Sequence, residues 1–336
     1  MPFNYPIWAS IVGKTSAITK KGVFNLTTGQ IAGDGLYTFT SFTFTNASVT
    51  GRFGPSLANC LSAYDTGTNA WLNNTSFFNV ITTGYQRWTV PKTGTYQITA
   101  IGAAGGWGSQ TRGAGTRMIG SFSLNQNEQL NIIVGQMGGD GAPGCGGSNK
   151  GGGGGGSFVV RTDGTALIVA GGGGGGSVLY LGTNVNANIT EGGNQGADTG
   201  GAGGTFGSGG GIITTQCVGH GGAGGGFSSN GGAGSDSGTA GAGLSYGNGL
   251  NGGTGGNQYG GTIAAGGFGG GGGSSTYMGG GGGGYSGGGS GGVGSCACAG
   301  LGAGGGGGSF NAGTNQSNTA NHNTTSHGSV LIEFIG

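Results

Sequence analysis

The chain has 336 residues, of which 98 are glycine and only 6% are charged. Such low charge argues against charge-driven disorder, and glycines that come in blocks beside only five prolines exclude collagen. A net charge of +1 argues against nucleic-acid binding. No apolar run reaches the roughly 18 residues of a membrane helix, and we expect no secretory signal peptide and no membrane insertion.

Composition divides the chain into two parts. Residues 1–100 contain ten glycines, and the other 236 residues contain 88. Every lysine and arginine lies at or before Arg161, so the last 175 residues contain neither. We therefore expect the glycine-rich part to have few sites for phosphate.

Residues 1–36 mix apolar and turn residues, and we predict that they form a docking or anchoring segment. The docking side chains would be Trp8, Ile11 and Phe24. A partly ordered N-terminal tail is the alternative interpretation.

Several segments have the alternation or the β-branched and aromatic content of strands. Residues 55–64 are the exception, because Pro55 near a helix start followed by Leu57, Leu61 and Tyr64 indicates a short helix. An all-β sandwich is the expected fold class. The predicted strands are 37–45, 88–90, 95–101, 119–124, 129–134, 157–160, 166–170, 177–181 and 329–335.

The glycine blocks permit two interpretations. Glycine-rich tracts usually behave as flexible linkers, and ordering each residue costs roughly 1–2 kcal/mol. Here, however, runs of similar length alternate with aromatic residues, and the chain returns to a strong strand at its end. We therefore favour extended polyglycine II helices, which lack side chains and can exchange backbone hydrogen bonds laterally. Six residues of such a helix span roughly 19 Å.

A series of short sequence motifs, most of which combine glycine with other residues, follows along the chain. They are Phe53-Gly-Pro-Ser-Leu-Ala-Asn-Cys60, Gln86-Arg-Trp-Thr-Val-Pro91, Gly94-Thr-Tyr-Gln-Ile-Thr-Ala-Ile-Gly-Ala-Ala-Gly-Gly106, Ile133-Val-Gly-Gln136, Leu167-Ile-Val-Ala-Gly-Gly-Gly-Gly174, Ala264-Ala-Gly-Gly-Phe-Gly-Gly-Gly-Gly272, Gly279–Gly284 with Tyr285, and His327-Gly-Ser-Val-Leu-Ile-Glu333. From about Tyr37 onward the chain thus resembles the glycine-rich module of the anaplastic lymphoma kinase and leukocyte tyrosine kinase receptors. The resemblance implies a tumour-necrosis-factor-like, or jelly-roll, β-sandwich interrupted by a bundle of polyglycine II helices.

The sequence departs from those receptors, because it has no kinase domain or membrane span and lacks most of their cysteines. The receptors' ligand-binding role is therefore not carried over. Residues 25–46 instead resemble virion-associated proteins of marine tailed phages, and some phage adhesins present polyglycine II rods at a fibre tip. This resemblance implies a virion protein assembled in the host cytoplasm.

No catalytic, metal or cofactor site is predicted. Five cysteines, Cys60, Cys145, Cys217, Cys296 and Cys298, lack paired zinc-site spacing, and buried thiols are favoured over a disulfide. His220, His322 and His327 are widely separated; a site built from the last two with a symmetry mate is the alternative to ordinary loop histidines. We expect a non-enzymatic protein without cofactors.

Recognition is the remaining function class, since tyrosine, serine, glycine and asparagine are also the residues of adaptable binding loops. The alternative is that the aromatic residues pack against the sandwich, which we favour for Phe206, Phe227 and Phe268 and leave open for the tyrosines. The predicted surface-recognition residues are Tyr246, Asn248, Asn257, Tyr259 and Tyr277.

These observations predict one module. Residues 37–138 begin the sandwich, 139–310 form the glycine insert, and 311–336 supply a loop and the closing strand. The expected function is a phage tail-fibre or adhesin protein in the virion that binds other virion proteins and a host glycan or outer-membrane protein, as a homo-oligomer, with a trimer plausible. The alternatives are a capsid decoration or fibre-attachment protein, and a secreted ice- or matrix-binding protein.

Overall fold

A computed structural model describes residues 35–109, 111–141, 149–177, 183–213, 219–233, 238, 240–256, 263–292 and 302–336. The predicted docking residues Trp8, Ile11 and Phe24 lie outside this part of the chain, as do Asn257 and Tyr259. So do four of the cysteines, Cys145, Cys217, Cys296 and Cys298.

Two antiparallel sheets pack face to face, which confirms the all-β sandwich. One sheet has the order β1-β11-β4-β5-β10 and the other β2-β3-β6-β7-β8-β9. The strands are β1 Ser41–Phe44, β2 Phe78–Val80, β3 Gln86–Thr89, β4 Gly94–Ile101, β5 Gly115–Leu124, β6 Gln129–Ile133, β7 Ser157–Arg161, β8 Ala166–Ala170, β9 Phe310–Asn311, β10 Thr319–Asn323 and β11 Ser329–Phe334.

The core lies between the sheets because the inward residues of both are apolar. Ile98 and Val330 of one sheet are fully buried in the same cluster as Leu130 and Ile168 of the other. β11 pairs with both β1 and β4, so the closing strand is an interior strand of its sheet. The sandwich is therefore complete only when the chain returns after the glycine-rich part.

The predicted short helix is present as α1, Leu57–Ala63. Ser56 caps it, because its Oγ accepts the Asn59 amide at 3.2 Å while Asn59 Oδ1 accepts the Ser56 amide at 2.9 Å. Single turns of 3₁₀ helix occur at Ala70–Asn73, Thr183–Val185 and Tyr246–Asn248. The predicted strand at 177–181 is not observed at Ser177, and its other residues lie outside the description.

The glycine blocks are ordered by backbone hydrogen bonds that repeat every three residues. In 151–156, residues three apart donate to the same neighbouring segment, and successive residues donate to different ones. The six bonds are Gly151 to Gly176, Gly154 to Gly173, Gly152 to Gly139, Gly155 to Gln136, Gly153 to Gly272 and Gly156 to Gly269, with N···O distances of 2.8–3.0 Å. The linker interpretation does not predict this pattern, since it leaves the donors to water.

The buried segment 279–284 has six neighbours. Its N–H groups donate to three segments, and its carbonyls accept from three others. The donors are directed at 302–305, 151–154 and 222–225, while 172–175, 288–291 and Gly272 donate to it. All six N–H groups and the carbonyls of 279–283 thus have partners within the protein, as burial requires.

Several glycine segments continue the strands at one end of the sandwich. Strands β4, β6 and β8 run directly into 102–108, 134–141 and 171–176, and 149–156 and 302–309 lead back into β7 and β9. Antiparallel bonds such as Gly106 to Gly152 and Gly151 to Gly176 hold these segments side by side. The ends of the segments that are farthest from the strands therefore lie together, and we call this the remote end.

Candidate functional site

Tyr246 belongs to a row of aromatic rings rather than to an exposed loop. The ring centroids of Tyr85 and Tyr246 are 5.4 Å apart, those of Tyr246 and Phe227 5.0 Å, and those of Phe227 and Tyr285 5.8 Å. Phe310 ends the row at 4.7 Å from Tyr285. We call these five residues the aromatic row.

The aromatic row joins the glycine-rich part to the six-stranded sheet. Its rings pack against Phe158, Val160 and Val169, which are fully buried on that sheet. Tyr246 Oη accepts the Asn131 side-chain amide at 3.0 Å, and burial raises the pKa of the Tyr246 hydroxyl. The Tyr246 ring thus lies against the rings of Tyr85, Phe158 and Phe227, as the packing alternative expects.

Two other predicted recognition residues, Asn248 and Tyr277, lie within the described part of the chain. Asn248 is exposed, and its side chain donates to Asn230 Oδ1 at 2.9 Å and to Ser245 Oγ at 3.0 Å. Tyr277 is only 7% exposed, so its assignment to a binding surface is wrong in this structure. It lies in a bend between the glycine segments 269–273 and 279–284.

The three phenylalanines that we expected to pack inward divide into two groups. Phe268 is fully buried and Phe227 lies in the aromatic row, as expected. Phe206 is 87% exposed and has a left-handed backbone, with φ of 49°. The prediction was wrong for Phe206 because the turn formed with Gly207 directs the chain outward before the ring meets a partner.

A candidate binding surface that the sequence analysis missed lies at the remote end around Trp107. The Trp107 side chain is 43% exposed although its backbone is held on both sides. The backbone N–H of Trp107 donates to Asp140 Oδ1 at 2.7 Å, and its backbone carbonyl accepts the Gly141 amide at 3.0 Å. A lone tryptophan between Gly106 and Gly108 was the available signal in the sequence.

Two charged side chains, Arg112 and Asp140, contact Trp107. The Arg112 guanidinium lies 5.0 Å from the Trp107 ring centroid and 3.6 Å from Asp140 Oδ1. Lys150, at the start of the adjacent segment, is buried, and burial lowers its pKa to about 8. We call Trp107, Arg112 and Asp140 the Trp107 cluster; it offers an aromatic ring beside a carboxylate that is 64% exposed.

The described residues contain no group of three or more metal-ligating side chains. His327 Nδ1 accepts the Met137 amide at 3.0 Å, and burial lowers its pKa. Cys60 is a free, buried thiol whose pKa is raised to about 12 by burial. Among the helices of the described residues, none has the length and apolar composition of a membrane span.

Comparison with known proteins gives a partial match. The leukocyte tyrosine kinase receptor of Mus musculus is 38% identical over 104 residues, which cover 30% of this chain. The match spans 11% of the receptor, so most of the receptor has no counterpart in it. No protein-family model matches the chain. The chain is therefore similar to a small part of this receptor.

Proposed function

We propose that the chain is a non-enzymatic virion structural protein of the phage tail-fibre or adhesin type. In this role, the sandwich is the base, the glycine insert is a rigid support, and the remote end meets the host surface. The observation that carries the proposal is the Trp107 cluster, an exposed aromatic ring fixed at the end of a hydrogen-bonded lattice farthest from the sheets.

We infer that the glycine segments are polyglycine II helices. A helix with three residues per turn gives each neighbour every third N–H, and this is the repeat that 151–156 and 279–284 have. Such a support loses little further conformational entropy on binding, because its residues are already ordered. A fixed aromatic ring at its end is the kind of residue on which binding energy concentrates.

The partners would be a host glycan or outer-membrane protein at the remote end and other virion proteins at residues 1–36. An exposed tryptophan can stack on the apolar face of a sugar or fill a pocket of a protein. In this role the protein would be a homo-oligomer located in the virion. The absence of catalysis remains a prediction.

The location of the protein in the particle can be tested by immunogold labelling of purified particles with an antibody against the glycine insert, residues 139–310. We expect label at the tail or fibre tip. Label spread over the head would replace the proposal with a capsid decoration role, and particles without label would overturn the virion assignment.

The role of the Trp107 cluster can be tested by competition. Soluble protein should block infection, and Trp107→Ala should raise the concentration needed by about tenfold or more. Phe53→Ala is the matched control, because Phe53 is 55% exposed and has the Arg52 guanidinium 5.2 Å from its ring but lies near the sandwich. Equal loss in both variants, or in neither, would contradict binding at the remote end.

A further inference from the structure

The two sheets differ in what lies against their outer faces. On the six-stranded sheet, Phe158, Val160 and Val169 point outward and are fully buried against the aromatic row. On the five-stranded sheet, the outward residues of β4 alternate with buried ones and are all half-buried. We call the surface that they form with their neighbours on β1, β5 and β11 the open face. The outward residues of β4 are Thr95, Gln97, Thr99 and Ile101.

Aliphatic and hydroxyl side chains form the centre of the open face. Leu331 of β11 and Ile119 of β5 lie on either side of Thr99, and each is paired with it in the sheet. Ile101 follows two residues later on the same face, and all three aliphatic side chains are half-buried. At the edge, Thr43 of β1 pairs with Leu331 and is exposed. A surface whose centre has aliphatic side chains and no charge is typical of protein–protein interfaces.

Two side chains of opposite charge lie on opposite sides of Thr99. Glu333 pairs with Gln97 on one side of β4, and Arg117 pairs with Ile101 on the other side. Their Cα atoms are thus two strands and four residues apart, which is about 17 Å for strands about 4.8 Å apart with a rise of about 3.4 Å per residue. This distance is too long for an ion pair within one chain. Neither side chain takes part in an ion pair within the described residues.

The positions of these charges make the open face complementary to itself. Thr99 lies midway between Glu333 and Arg117, since it is the middle residue between Gln97 and Ile101 on the central strand. Consider a two-fold axis in the plane between two facing copies, passing over Thr99 and at right angles to the line from Glu333 to Arg117. Such an axis places each Glu333 opposite the partner's Arg117, so one contact gives a partner to all four charges.

We propose that the open face is the interface of a two-fold symmetric dimer of this chain. Five strands with a length of six residues give a face of about 24 by 20 Å, or roughly 1,000 Å² for the two copies together. This area is at the lower limit for a specific interface, and we expect a Kd of about 10 μM. The proposal assigns an interface to the homo-oligomer proposed above, and it depends neither on the virion location nor on the Trp107 cluster.

Other occupants of the open face fit less well. A phosphate-bearing partner would meet one basic side chain, Arg117, because burial and then the Arg117 charge lower the pKa of the nearby His322 and leave it neutral at pH 7. Residues 1–34 of the same chain precede the point where Leu36 N donates to the Pro91 carbonyl at 2.8 Å, beyond one end of β4. If they occupied the face, the chain would be a monomer at every concentration.

Sedimentation velocity of the whole chain between about 1 and 100 μM tests the proposal. We expect the mass to rise from that of one chain to that of two, with a midpoint at about 10 μM. Glu333→Lys should raise the Kd about 100-fold, because each ion pair between the copies becomes a contact between like charges. Glu191→Lys is the matched control, since it makes the same change at an exposed carboxylate of the glycine insert, and it should leave the Kd unchanged.

Two further variants test the geometry of the interface. Exchanging the charges, with Arg117→Glu and Glu333→Arg in one chain, should restore the Kd to within about threefold. Thr99→Lys should abolish the dimer, because the two side chains would meet at the axis, and its melting curve shows whether it is folded. A chain that is monomeric at about 100 μM, equal Kd values for Glu333→Lys and Glu191→Lys, or a dimer retained in Thr99→Lys would overturn the interface. Trp107→Ala should leave the Kd unchanged, so that loss of competition with infection and loss of the dimer are separate results.

Discussion

The glycine segments form a network of backbone hydrogen bonds, which we call the glycine lattice. Its close packing predicts a large loss of stability for Gly282→Ala. A Cβ atom at this position would lie 2.1 Å from the Gly172 carbonyl oxygen, far inside the contact distance of real side chains. That oxygen accepts the Gly307 amide at 2.9 Å, so moving it away breaks a buried hydrogen bond. Overpacking costs about 1–3 kcal/mol, and a buried group left without a partner costs about 1–3 kcal/mol more.

We therefore expect Gly282→Ala to lower the free energy of unfolding by about 3–5 kcal/mol and Tm by roughly 10 °C. Gly247→Ala is the matched control, because Gly247 is exposed and nothing lies within 4 Å of an added Cβ. Differential scanning calorimetry of both variants measures the difference. If both variants have the same Tm as the unmodified chain, segment 279–284 is not closely packed and the lattice description is wrong.

Three further predictions concern the core. Phe268→Ala should cost about 3–5 kcal/mol in urea denaturation, because the ring is fully buried against Gly54 and Gly84; a loss below 1 kcal/mol would contradict this packing. Cys60 should resist alkylation at pH 8 in the folded protein and react in urea, as mass spectrometry of its peptide can show, because burial raises its pKa to about 12. Burial also raises the pKa of Tyr96 to about 12. An unfolded tyrosine ionises near pH 10, so the folded state binds more protons between about pH 10 and 12 and the urea midpoint should fall across that range; a flat midpoint would refute the shift.

The strands of the sandwich were predictable because their local pattern reflects burial on one face. Residues 95–101 and 329–335 were assigned from alternation and β-branched content, and they form β4 and β11 almost to the residue. By contrast, β10 consists of Thr319–Asn323, whose polar residues are mostly exposed. Its pairing with β5 is set by the tertiary fold, and no local pattern indicates it.

The candidate site was less predictable because exposure of an aromatic ring depends on distant neighbours. Tyr246 and Tyr277 have the same glycine-rich surroundings in sequence as Phe206, yet Tyr277 is buried and Phe206 is exposed. A groove at the edge of the six-stranded sheet likewise brings segment 189–191 beside 309–311, more than a hundred positions later in the sequence. Only the order of the glycine segments in space decides which of these residues meet.

The three-residue hydrogen-bond repeat limits which changes of length the insert can accept. Loss of one glycine within 279–284 would shift every later N–H by one position in the repeat and direct it at a different neighbour. Loss of three would shorten the segment by one repeat and keep every neighbour the same. Insertions and deletions inside the lattice should therefore come in threes, while the connections between segments can change by any number of residues.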